Sequence, residues 1–221
     1  MATPVEPDWT YENHATARGF RRVAGLDEVG RGSLAGPVLA AAVILRPEWT
    51  PPGIRDSKLL SPARRSALLP AILRGCVSFG LGAAGPEEID RINILNATRV
   101  AMRRAVEAMP VRPDHVLIDA LRLPDVPIEQ TAITKGDRLC VSIAAASIVA
   151  KVVRDRIMMY YDRVFPGFDL TSNKGYGTAR HLRAVAARGA CAIHRYSFHG
   201  VNGKEARRPP GARPGRSLGR A

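Results

Sequence analysis

Apolar residues along the chain change period several times, and each change marks an element. Arg22 to Val29 reads as a strand that runs into the glycine-rich stretch GRGSLAG. Pro37 to Leu45 (PVLAAAVIL) is an unbroken apolar run suited to a buried strand, and the glycine turn joins the two as an antiparallel pair. Arg46 to Gly53 is a proline-rich loop. Ser61 as N-cap and Pro62 at the first helical position start a helix that runs toward Gly75. Cys76 to Ala83 alternates as a third strand. Pro86 opens a helical region, and Ile94 to Met109 carries apolar residues at helical spacing. His115 to Ile118 is a short buried strand ending at Asp119. Ile128 to Thr134 is another, followed by Lys135-Gly136-Asp137. Ser142 to Val164 forms the longest helix, and Thr178 to Arg188 a further one stopped by Gly189. The pattern predicts a mixed-sheet α/β domain with a helical C-terminal portion. It places that domain at 20–205. Residues 1–19 are expected to be a loose extension with at most a short helix around Trp9 to His14. Residues 206–221 hold breakers and five arginines but no acid, which predicts a disordered basic tail.

Charge narrows the function. Of 221 residues, 33 are basic and 20 acidic, a net charge of +13 that stays near +8 without the tail. A polyanionic partner, nucleic acid first, is the expectation; a basic soluble enzyme is the plain alternative. The tail either touches a duplex backbone weakly, through its arginines, or is an inert extension; contact is the alternative that can be tested. Deleting 206–221 should then flatten the salt dependence of binding, and an unchanged slope would rule the contact out. Three distant cysteines (Cys76, Cys140, Cys191) argue against a disulfide framework and against zinc, and suit a cytoplasmic protein. His181, His194 and His199 show no zinc spacing and read as packing or phosphate-facing residues. No signal peptide and no membrane-spanning apolar run is visible.

The chemistry concentrates at strand ends. Asp27 and Glu28 end the first strand, Asp119 ends a later one, and Asp137 follows another. Carboxylates gathered there would repel each other unless a hard divalent cation, Mg²⁺ or Mn²⁺, sat between them. Each acid alone is more simply a turn former or cap. The adjacent pair resists that reading, because ionisable groups in an apolar strand are costly. Neighbours on a regular strand leave opposite faces, so Asp27 and Glu28 share a site only where the strand ends or bulges. The turn itself is no dinucleotide fingerprint. Its spacing is GxGxxxG, an apolar strand follows instead of a helix, and the acids precede the glycines. Arg31 suits either a phosphate contact or an ion pair with a nearby acid.

Gly25-Leu26-Asp27-Glu28-Val29-Gly30-Arg31-Gly32 resembles the signature of the type 2 ribonucleases H, the bacterial ribonuclease HII group. The resemblance continues through Asp56-Ser57-Lys58-Leu59-Leu60-Ser61, Glu88-Ile89-Asp90, Leu117-Ile118-Asp119, Lys135-Gly136-Asp137, and Ala144 to Lys151 with Arg154-Asp155. It extends to Lys174-Gly175-Tyr176 and His194-Arg195-Tyr196-Ser197-Phe198. It implies a ribonuclease H-like mixed five-stranded sheet flanked by helices, and metal-dependent hydrolysis of RNA paired to DNA. Single ribonucleotides embedded in duplex DNA are included. It further implies that Asp27, Glu28, Asp119 and Asp137 hold the metal. Gly30, Arg31 and Gly32 would read the ribose 2′-hydroxyl through backbone, the group that separates RNA from DNA. Tyr176 would stack on the neighbouring deoxyribose, and Lys58 would hold a phosphate. Two metal ions would give 5′-phosphate and 3′-hydroxyl ends. The chain is expected to act as a monomer. Ala120 stands where the family usually has glycine, a change expected to be minor. Asp155 falls on an inward stripe with Ile148, Val152 and Met159. It is expected to be a structural acid paired with Lys151 rather than a catalytic group. The competing class is a nucleic-acid-binding module with structural acids. Binding without cutting, with and without Mg²⁺, would favour it.

Overall fold

Val38–Leu45 is buried at every position because helices cover both faces of the strand it forms. The computed structural model describes residues 6–55 and 57–201, so the tail expected at 206–221 lies outside them. In chain order the elements are α1 (Thr10–Ala17), β1 (Val23–Val29), β2 (Val38–Leu45), a 3-10 turn (Ser57–Leu59), α2 (Pro62–Gly75), β3 (Cys76–Ala84) and α3 (Pro86–Glu107). They continue with β4 (His115–Asp119), β5 (Glu129–Ile133), α4 (Gly136–Leu139), α5 (Val141–Val164), α6 (Leu170–Asn173) and α7 (Ala179–Arg188). The sheet order is β3-β2-β1-β4-β5. β2 is antiparallel to β1 and β3, whereas β4 is parallel to β1 and β5. Among the described residues no helix is long and apolar enough to cross a membrane.

Alternate residues of β1 and β2 serve two cores. Leu26, Ala40 and Ala42 pack with Ala97, Ala101 and Met102 of α3. Leu39, Ala41 and Val43 pack with α2 and with the small residues Ala144 to Ala146 of α5. A Cβ on Gly25 would collide with the Ser142 main chain, so only glycine lets α5 lie directly on β1. This contact fixes the polar side chains of α5 relative to the end of β1. The Ser61 side chain caps α2 as expected, accepting from Arg64 N–H. The helical region from Pro86 is kinked at Asn93 (φ 66°), whose side chain caps the second half by accepting from Asn96 N–H.

Three expectations change. The N-terminal extension is not loose where it is described. α1 is docked through Glu12, 3% exposed, whose carboxylate accepts from both the Ser142 N–H (2.8 Å) and the Ser142 hydroxyl (2.6 Å). Glu12 thus caps the start of α5 from 130 residues away in sequence. Glu12→Ala should cost about 2 kcal/mol in denaturant unfolding. Burial holds the Glu12 carboxyl above its ordinary value. Its stabilisation is therefore full below that ordinary value and declines as pH rises through the folded one. Second, Met159 is exposed (42%) although it continues the inward stripe; Met158 is the buried neighbour. Past the sheet, the covered side of α5 is the one facing the C-terminal portion, where Met158 meets Ala35, Phe168, Leu170 and Val185. Third, Ala120 has φ 55°, in the left-handed region. A methyl there is not minor, and Ala120→Gly should raise stability by about 1 kcal/mol by thermal unfolding.

Candidate active site

β1 stays paired with β2 through Val29, with no bulge, but its pairing with β4 stops at Leu26↔Ile118. Asp27 and Asp119 follow that last pair, where two parallel strands part. Asp27 lies on the α5 face, where the Ser147 hydroxyl donates to it. Glu28 leaves from the α3 face. Across the open edge between the strands, Asp27 and Glu28 each interact electrostatically with Asp119. Contrary to expectation, the strand neither ends nor bulges at these two residues; only its pairing with β4 ends there.

Asp137 arrives from α4, after Lys135 turns the chain with φ 61°. It is 2% exposed and accepts from Lys58 Nζ at 3.0 Å. Asp119 Oδ1 accepts from Gly136 N–H at 2.9 Å, tying the two acidic loops together. Asp27 Oδ1 accepts from Glu28 N–H at 2.7 Å. Arg31 Nη1 stands 3.3 Å from Glu28 Oε1, which resolves the alternatives for Arg31 toward an ion pair. Burial raises the Asp27 carboxyl well above its ordinary value, and the neighbouring Glu28 charge adds to this. Burial also raises Glu28 and Asp119. Glu28 Oε2 is buried and has no hydrogen-bond partner. Crowded carboxylates held above their ordinary values, with one oxygen left without a donor, fit a hard cation with oxygen ligands. Among the described residues no group of three or more His, Cys, Asp or Glu side chains is placed so that it could hold a metal ion as it stands. Lys58 and Arg31 provide positive charge beside the acids.

The 3-10 turn bearing Lys58 is held from beneath. Ser57 and Ser147 hydroxyls meet at 2.8 Å. Arg65 Nη1 donates to the Ser57 carbonyl (2.7 Å) and the Leu60 carbonyl (2.5 Å). Asp155 pairs with Lys151 at 2.7 Å, as expected, and with Arg65 at 3.7 Å. It meets the site only through this brace. Tyr176 is partly exposed and bridges to Ser33 of the glycine turn. His181 and His194 are buried and packed on Phe168, whereas His199 is exposed.

Sequence reasoning missed Ser147, Arg65, Arg154 and Arg195. Ser147, Lys151, Arg154 and Asp155 lie at helical spacing on an otherwise apolar helix, which is a readable signal. Arg65 carries no local signal, and Arg195 stands inside the motif His194 to Phe198 with nothing local to mark its burial.

A family model described as Ribonuclease HII matches residues 24–201. The Ribonuclease HII of Geobacter sulfurreducens is 51% identical over 198 residues, covering 90% of this chain and 91% of that protein. The solved structure of ribonuclease H2 from Pyrococcus horikoshii superposes with a TM-score of 0.67 at 23% identity, covering 82% of this chain and 95% of the other. Bst-RNase HIII, solved in complex with Mn²⁺, gives a TM-score of 0.60 at 21% identity over 81% and 68% of the two chains. The five-stranded mixed sheet is thus shared with ribonuclease H structures. With half its residues identical to such a relative over nearly the whole length, the chain belongs to the ribonuclease HII family of endoribonucleases.

Proposed function

We propose that the chain incises RNA paired to DNA, including the 5′ side of a single ribonucleotide in duplex DNA, leaving 5′-phosphate and 3′-hydroxyl ends. What supports this reading is a run of acids that sense one another, Glu28 and Asp27 with Asp119 where β1 and β4 part, and Asp119 with Asp137 of α4. These four acids would hold Mg²⁺ or Mn²⁺. A pair of such ions supplies the charge that activates water and stabilises a leaving oxygen. The chain's own residues do the rest. Asp27, buried between Ser147 and the Glu28 amide, keeps one carboxylate orientation through the reaction. Lys58, exposed and already beside Asp137, holds a phosphate next to the cut. The Gly30 to Gly32 turn reads the 2′-hydroxyl, and Tyr176 stacks on the deoxyribose that follows. Action in the cytoplasm is part of the proposal, motivated by three free thiols, and so is action as a monomer.

The test is product mapping on three duplexes: all-DNA, one ribonucleotide, and a full RNA–DNA hybrid, with and without Mg²⁺. The expected result is a metal-dependent nick 5′ of the ribonucleotide with ligatable 3′-hydroxyl ends. Cutting of the all-DNA duplex at a similar rate would refute the reading.

A further inference from the structure

Two arginines are fully buried behind the glycine turn. Arg154 and Arg195 are both 0% exposed, among the largest such side chains in the protein. Among the described residues neither guanidinium meets a carboxylate at ion-pair distance; their donors go to main-chain carbonyls. Arg195 donates to Gly30 O (2.7 Å), Arg31 O (2.8 Å) and Gly36 O (2.9 and 3.0 Å). Arg154 donates to Pro37 O (3.0 Å), Lys174 O (2.8 Å) and Ala35 O (3.1 Å). Burying a cation without a counter-ion is costly, so filling space does not account for the pair.

The carbonyls they collect have a geometric consequence. Across a trans peptide, the oxygen of one residue and the N–H of the next point in opposite directions. Drawing the Gly30 and Arg31 carbonyls inward turns the Arg31 and Gly32 amides outward. Among the described residues those two amides donate to no protein acceptor, and Gly32 faces open space. Gly30, at φ 89°, has to be glycine, because a Cβ there would land on the Arg154 guanidinium. Arg154 also lies 5.8 Å from the Tyr176 ring centroid and holds the Lys174 carbonyl two residues before it. One buried pair therefore sets both the outward amides and the aromatic platform, and puts uncompensated positive charge behind them.

We propose that Arg154 and Arg195 are positioning residues for ribose selectivity, fixing the amides of the glycine turn in the orientation that donates to a 2′-hydroxyl oxygen. This rests on the reading that the Gly30 to Gly32 turn contacts that hydroxyl. Lysine keeps the charge but not the planar fork, so Arg195→Lys separates geometry from electrostatics. The experiment uses the non-cutting Asp27→Asn background and measures affinity for a one-ribonucleotide duplex and for the matched all-DNA duplex at one salt concentration. The expected result is that Arg195→Lys lowers the ribonucleotide preference by about tenfold, with all-DNA affinity nearly unchanged. An unchanged preference in a folded Arg195→Lys protein would overturn the proposal. A parent protein that binds both duplexes equally would instead refute the turn's contact with the 2′-hydroxyl, a different result from the first. Where Arg195→Lys does not fold, the arginine Nε–H resonances of the Asp27→Asn protein decide. They should shift on adding the ribonucleotide duplex and not the all-DNA duplex; identical responses to both overturn the proposal.

Discussion

Asp27→Asn is expected to slow incision of a one-ribonucleotide duplex by about a thousandfold or more, with no loss of fold stability. Asparagine keeps the shape and one acceptor oxygen for the Glu28 amide. What it removes is a charge that burial and Glu28 already disfavour in the folded protein. Removing it relieves repulsion, so the melting temperature should hold or rise. Electrostatic stabilisation by a bound cation is worth several kcal/mol at the transition state, which converts to the stated rate loss. Single-turnover rates and thermal unfolding on the same preparation check both halves. A rate within tenfold of the unsubstituted protein would contradict the role given to Asp27.

Arg154→Ala is expected to lose about 3 kcal/mol of stability, a large effect for one side chain. Three buried carbonyls, those of Ala35, Pro37 and Lys174, lose their donor together. Each orphaned group costs roughly 1–3 kcal/mol, and relief of the buried charge offsets part of the sum. Urea unfolding measures the outcome. A loss under about 1 kcal/mol would mean that water replaces the guanidinium easily, and that the turn is not held as described.

The strands and long helices were legible because their signals are local. The unbroken run PVLAAAVIL reads as a strand covered on both faces, and Ser61-Pro62 announces a helix start in two residues. The acids were legible as lying at or just after strands, and the family resemblance implied that they act together. Their shared geometry was not. Asp27 and Glu28 leave opposite faces, and the end of the β1–β4 pairing, a property of two strands far apart in sequence, is what opens the edge across which both sense Asp119. The same distance hid the braces. Glu12 finds its partner 130 residues away, and Arg195 finds the Gly30 carbonyl 165 residues away. In the sequence, Arg154 is merely a charge beside Asp155. Its buried role follows from the C-terminal portion packing onto the end of α5, which no periodicity within that helix encodes.

In the proposed function, Asp27, Glu28, Asp119 and Asp137 would together hold one cation site near the parted strand ends. A crystal of the protein soaked in Mn²⁺ and measured at the manganese absorption edge tests it most directly. Anomalous density is expected within ligand distance of Glu28 Oε2, the buried oxygen that lacks a partner, and of at least two of the other three acids. Manganese bound elsewhere, with this cluster empty in crystals of a protein that nicks its substrate with Mn²⁺ in solution, would contradict it.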